Sequence, residues 1–174
     1  MNKLNYISNM GLKITWKLIY IGINQFGDLT YDEVVEYLYE NIEKNPDNID
    51  DIVKIICEEN DSEKGYKLIK SYAIHECSDM NIQAQKWIVY KLKSILENLY
   101  SDHLQGILQL IDFWNEHQKT TSCPIEFPTT GVDLQQYFSK NTYDKVICQS
   151  KDWLNRTLRE IIDREKTSVL NLII

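Results

Sequence analysis

Three histidines and four cysteines are the side chains with the widest chemical reach in this 174-residue chain. His75 and Cys77 stand two apart in "HEC", which puts them on different sides of a helix. No second pair follows at the spacing a zinc site needs. The acidic run "DNIDDIVKIICE" lacks the central glycine and alternating oxygen ligands of a calcium loop. Cys123 is the candidate nucleophile, with His117 near it in sequence, but a cysteine ahead of a proline in a turn reads more simply as structural. His103 stands where a helix should begin and reads as a surface residue. The chain has no glycine-rich phosphate loop and no G-x-S-x-G. The expectation is therefore no catalytic residues, no metal, no cofactor and no enzyme.

Charge is distributed less evenly than chemistry. "DEVVEYLYENIE", residues 32–43, carries five carboxylates, two tyrosines and no positive charge. Between Asp28 and Glu63 there are 13 acids against Lys44 and Lys54, a net of −11, while the remainder holds 13 acids and 17 bases, giving the overall −7. At roughly 100° per residue, Tyr31, Val34, Val35, Leu38 and Ile42 share one stripe of a helix and Glu33, Glu36, Glu40 and Glu43 the opposite one. Tyr37 and Tyr39 fall at the two borders.

A solvated helix face is the plain explanation of such a run. Solvated faces usually mix signs, because like charges three or four apart cost a few tenths of a kcal/mol per pair. The sharper expectation is a docking surface for a basic protein partner, formed by Glu33, Glu36, Tyr37, Tyr39, Glu40, Glu43, Asp47, Asp50 and Asp51. Acidic stripes speed encounter with cations, and tyrosines supply the desolvated anchors that interfaces favour. Nucleic acid is disfavoured as a ligand. Its phosphates would be repelled, and Arg156, Arg159 and Arg164 lie beside acids on one late helix.

The elements that would carry these residues are helical. Thr15 caps a helix with Trp16, Ile19, Tyr20 and Ile23 on one side, ending at Gly27. "TYDE" at 30–33 is a capping box, and its helix should stop near Lys44, ahead of Pro46. Ile49, Ile52, Val53 and Ile56 recur on one face of a short helix, and another starts at Asp61 or Ser62 and runs towards Cys77. Ala84, Trp87, Ile88, Leu92, Ile95 and Leu99 mark the most regular helix, within 81–100. Leu104, Ile107, Leu108, Ile111 and Trp114 mark the next. "KTTSCPIEFPTTG", 119–131, is turn chemistry. "VDLQQYF" suggests a helical turn or two, and a long last helix begins near Thr142 with Ile147, Leu154, Leu158, Ile161 and Ile162 inward. The apolar "SVLNLII" is expected to dock on the core or on a partner.

Composition agrees with an all-α reading. Six glycines and three prolines are too few for the frequent turns of an all-β fold. A chain this long buries roughly 70 % of its unfolded surface and needs no metal or disulfide to fold. The expectation is one helical domain, 1–174, a bundle of about seven or eight helices with one proline-containing irregular loop. No signal-like or membrane-spanning run is found, so the chain reads as cytoplasmic, with its cysteines reduced and mostly buried.

"ITWKLIYIGI", the Gly27-Asp28 turn, the acidic helix behind it and "QKWIVYKLKSILENLY" resemble small acidic bacterial proteins of a domain-of-unknown-function family of immunity-protein type. That resemblance implies an immunity protein that neutralises a basic toxin, and it brings no catalytic residues. The alternative, of a different class, is an uncharacterised helical enzyme or regulator with a pocket near the 119–131 loop.

Overall fold

The structure is a computed structural model that describes residues 2–44, 49–128 and 133–170. Among the described residues there is no strand. The described residues form eight α-helices of seven residues or more and one four-residue helical turn. They are α1 (Lys3–Asn9), α2 (Trp16–Asn24), α3 (Tyr31–Asn41), α4 (Ile49–Cys57), α5 (Ser62–His75), α6 (Met80–Glu97), α7 (His103–His117), the turn α8 (Leu134–Tyr137) and α9 (Lys140–Leu170). The chain divides into two compact units, residues 1–87 and 88–174.

Local signals set most helix starts. The Thr15, Asp61 and Asp102 side chains accept N–H bonds from Leu18, Lys64 and Gln105, each satisfying one of the orphan donors of a first turn. Thr30 and Glu33 close the capping box in both directions. Past α2, Gly27 takes a φ of 64°, and the Asp28 and Leu29 N–H groups turn back onto the Gly22 carbonyl.

In the first unit α2 packs on α5, and α3 packs on α1, α4 and α5. Two glycines let aromatic rings sit against helix backbone. A Cβ on Gly22 would lie 2.2 Å from Cζ2 of Trp87, whose indole N–H donates to the Leu18 carbonyl at 2.8 Å. A Cβ on Gly65 would lie 2.0 Å from the Tyr31 hydroxyl, which donates to the Ile55 carbonyl at 2.7 Å. Trp87 is fully buried, as the regular spacing of α6 predicts.

In the second unit α7 packs on α9. Tyr143 lies against Gly106 and donates to the Tyr100 carbonyl at 2.6 Å, while farther along both helices Trp114 donates to the Ser150 hydroxyl at 3.2 Å and meets Trp153 edge-on at 5.0 Å. The contacts climb both helices together, so α7 and α9 run parallel. A parallel pair needs a connection that carries the chain back along the helix, and the described residues 118–128 and 133–139 belong to that connection. Residues 118–128 have no helix or strand, as turn chemistry predicts, and the turn α8 follows within 133–139.

Four expectations change. α1 is a helix that the sequence pattern did not mark; it is short, and its hold comes from Leu4 and Ile7, both fully buried. On α4 the inward residues are Ile52 and Ile55, while Ile49 and Val53 are each 41 % exposed. Five of the nine α4 residues are aliphatic, so the period leaves the face open and packing against α3 and α5 chooses it. On α7 Leu104 and Leu108 face outward, and the core side is Ile107, Leu110, Phe113 and Trp114. Cys57, Cys77 and Cys148 are exposed rather than buried, and Cys123 is half-buried. The tail 171–174 lies outside the described residues.

Candidate functional site

The capping box fixes Glu33 first. Its Oε2 accepts the Thr30 N–H at 3.0 Å, and its Oε1 accepts the Lys3 ammonium at 2.6 Å. Burial alone would raise its pKa. The Lys3 and Thr30 bonds outweigh burial and hold the carboxyl below its usual range. Glu33 is thus engaged on both oxygens.

The next two acids of the stripe meet the same helix. Asn2 Nδ2 donates to Glu36 Oε2 at 2.9 Å and to the Glu33 carbonyl at 2.7 Å, and Asn5 Nδ2 donates to Glu40 Oε2 at 2.6 Å. Asn41, next to Glu40, donates from Nδ2 to Asn5 Oδ1 at 3.2 Å, so Asn5 meets both residues. One edge of the α3 stripe therefore binds α1, a segment of its own chain. The counter-groups absent from the local sequence arrive from about thirty residues away.

Tyr37 corrects the docking set. It is 6 % exposed and belongs to the core, on the stripe of Val34, Leu38 and Asn41. Burial raises its pKa against the opposing effect of a bond with the Ser8 side chain. Spacing of three from Val34 and four to Asn41 places it inward, so it cannot anchor a partner at the surface. Tyr39 is 53 % exposed, and its hydroxyl donates to Glu59 Oε2 at 3.4 Å.

The remaining predicted residues separate further. Glu36, Glu40, Glu43 and Asp50 are exposed. Asp51 is half-buried, pairs with Lys54 at 3.2 Å and takes a bond with the Tyr72 side chain. Asp47 lies outside the described residues. The structure brings together Asp32, Glu36 and Tyr39 of α3 with Glu59 and Asn60, just past α4, around a shallow groove of about 340 Å³. Asp32, Glu59 and Asn60 were not in the predicted set. The i, i+4, i+7 spacing of Asp32, Glu36 and Tyr39 was visible in the sequence, but the approach of Glu59 was not.

A family model described as an uncharacterised protein conserved in bacteria, DUF2247, matches residues 4–158. The chain belongs to that family. No curated protein and no solved structure matches it. The match reaches from α1 through most of α9 and so takes in the α1–α3 contact and the groove.

Of the residues considered for chemistry, His75 and Cys77 are both exposed. Cys123 Sγ contacts the Ile125 carbonyl at 3.4 Å, and burial pushes its thiol pKa up, away from thiolate. His117 is 3 % exposed, packs edge-on to Phe113 at 4.7 Å and has Nε2 3.8 Å from Glu116. No helix among the described residues is long and apolar enough to cross a membrane.

Proposed function

We propose that this protein is an interaction module that binds a basic protein partner, of the kind an immunity protein makes with a toxin. The contact surface is the groove of Asp32, Glu36, Tyr39, Glu59 and Asn60, with Glu43 and Asp50 as flanking charge. One observation carries the reading. The groove's partners among the described residues are neutral: the Asn2 amide meets Glu36 and the Tyr39 hydroxyl meets Glu59. Glu33, by contrast, already has its cation in Lys3. An incoming lysine or arginine therefore supplies charge to acids whose bonds among the described residues are to neutral groups. Tyr39 offers ring area beside those acids, the usual form of an interface anchor.

The test is kinetic. A basic protein captured from the source cell at low salt is purified and its association rate measured with wild type and with Asp32→Asn/Glu36→Gln/Glu59→Gln. Steering by acids should make the variant slower by about tenfold or more at low salt, with the difference shrinking as salt rises. Tyr39→Ala should mainly speed dissociation. An unchanged association rate at low salt sinks the reading and leaves the acids as a solvated face.

A further inference from the structure

We propose that an exposed apolar stripe of α4 and the acidic groove at its end together receive an amphipathic helix of the partner, with a row of aliphatic side chains bordered by lysine or arginine. The inference rests on the docking reading above and narrows the partner to one kind of segment. Ile49, Val53 and Cys57 follow four apart on α4 and so run along one side of that helix. All three are exposed, while Ile52 and Ile55 take the core side.

The stripe leads into the groove. Tyr39, exposed on α3, donates its hydroxyl to Glu59. Desolvation first, then Glu59 and then Cys57 push the pKa of that phenol up, so its oxygen lies by Cys57 as well as by Glu59. Asp32, Glu36 and Glu59 therefore stand at the Cys57 end of an apolar line that starts at Ile49. The lysine of α4 does not intrude. Lys54 pairs with Asp51 and stands about 100° around the helix from Val53.

These features select the occupant. Among the described residues there is no strand, so an extended segment has no sheet edge to join. A helix can lay its own ridge along the stripe, as helices pack on helices. From Ile49 to Cys57 the stripe runs about 12 Å, which two or three turns of a partner helix cover. A second copy of this chain, docked by the same patch, would set Asp32, Glu36 and Glu59 against like charges. A basic segment without apolar residues would satisfy the acids and leave Ile49 and Val53 wet. An aliphatic row with basic borders meets both.

The probes are synthetic peptides of about 14 residues, roughly four helical turns, added to the full chain. One is leucine and lysine patterned as an amphipathic helix, another has the same composition with the leucines scattered, and the last carries glutamate for lysine. Fluorescence anisotropy should show saturable binding of the patterned peptide below about 100 μM, with the other two about tenfold or more weaker. Bound peptide should slow labelling of Cys57 by about fivefold or more and leave the exposed Cys77 and Cys148 at their free rates. Ile49→Ser/Val53→Ser should weaken the patterned peptide about tenfold, while Leu104→Ser/Leu108→Ser, on the exposed side of α7, should leave it within about twofold. A scattered peptide that binds within about twofold of the patterned one overturns the inference and leaves the acidic docking surface standing. An unchanged affinity in Asp32→Asn/Glu36→Gln/Glu59→Gln overturns it as well, and the rate measured with the captured partner then decides the docking reading separately. So does the absence of saturable binding, or equal protection of all three thiols. Sedimentation showing a wild-type dimer that Ile49→Ser/Val53→Ser dissociates would assign the stripe to a second copy and overturn the inference too.

Discussion

The Lys3 ammonium lies 2.6 Å from the Glu33 carboxylate, and this contact ties the first helix of the chain to the first turn of α3. Glu33 is also the residue that closes the capping box with Thr30. One side chain thus starts a helix and fastens a neighbouring one.

Removing the cation should reveal the link through pH. The folded-state pKa of Glu33 is lowered, so its contribution is present above the unfolded value of 4.5 and is lost as pH falls through the folded value. Lys3→Ala should unfold more easily than wild type by about 0.2–1 kcal/mol near pH 7, the range of a partly exposed pair. Urea denaturation of both proteins should show the gap closing in acid. A gap that does not narrow as pH falls would assign the loss to packing of the lysine stem instead.

Tyr31 gives a prediction at the other end of the scale. Burial first, then Glu58 and other nearby acids, push its pKa up to about 12. A raised pKa means that the neutral phenol's stabilising role is intact below its ordinary value of 10.0 and is lost as pH rises through the folded value. Absorbance titration should show tyrosines ionising late or together with alkaline unfolding, and the delayed component should shrink by one tyrosine in Tyr31→Phe without vanishing, because burial raises the Tyr37 pKa as well. At the same contact Gly65→Ala should cost about 1–3 kcal/mol, since its Cβ would fall 2.0 Å from the Tyr31 oxygen.

The two tyrosines of α3 should part company on truncation. Tyr37→Ala empties a core position and should lower stability by about 3 kcal/mol or more. Tyr39→Ala removes a mostly exposed ring and should stay within about 0.5 kcal/mol of wild type. Thermal melts of the two variants decide this, and equal losses would contradict the burial difference between the residues.

Thiol reactivity should follow exposure. Cys57, Cys77 and Cys148 should react quickly with an aromatic disulfide reagent in the native protein. Cys123, half-buried with a raised thiol pKa, should react slowly and join the others once the chain is unfolded. Mass mapping of the labelled cysteines at short times identifies the order.

Much of the helical layout was legible because helix signals are local. Thr15, Thr30 and Asp61 act on N–H groups three residues ahead, and the apolar period of α6 repeats within one or two turns. α4 was legible as a helix but not as a face, because its aliphatic residues crowd too much of its circumference. α1 escaped because its seven residues hold only two core side chains, and these gain their place from the α3 surface they cover.

The candidate site divides along the same line. The sequence by itself determined that one fifth of the chain carries half of its 26 acids against only two lysines, and that Asp32, Glu36 and Tyr39 share a helix face. Tertiary structure alone decided which acids are engaged and which remain available. Lys3 and Asn5 reach Glu33 and Glu40 across 30 and 35 residues, and Tyr39 reaches Glu59 across 20. Pairings at that separation depend on how helices pack, and packing is set by the whole first unit's buried surface rather than by any repeat readable along the chain.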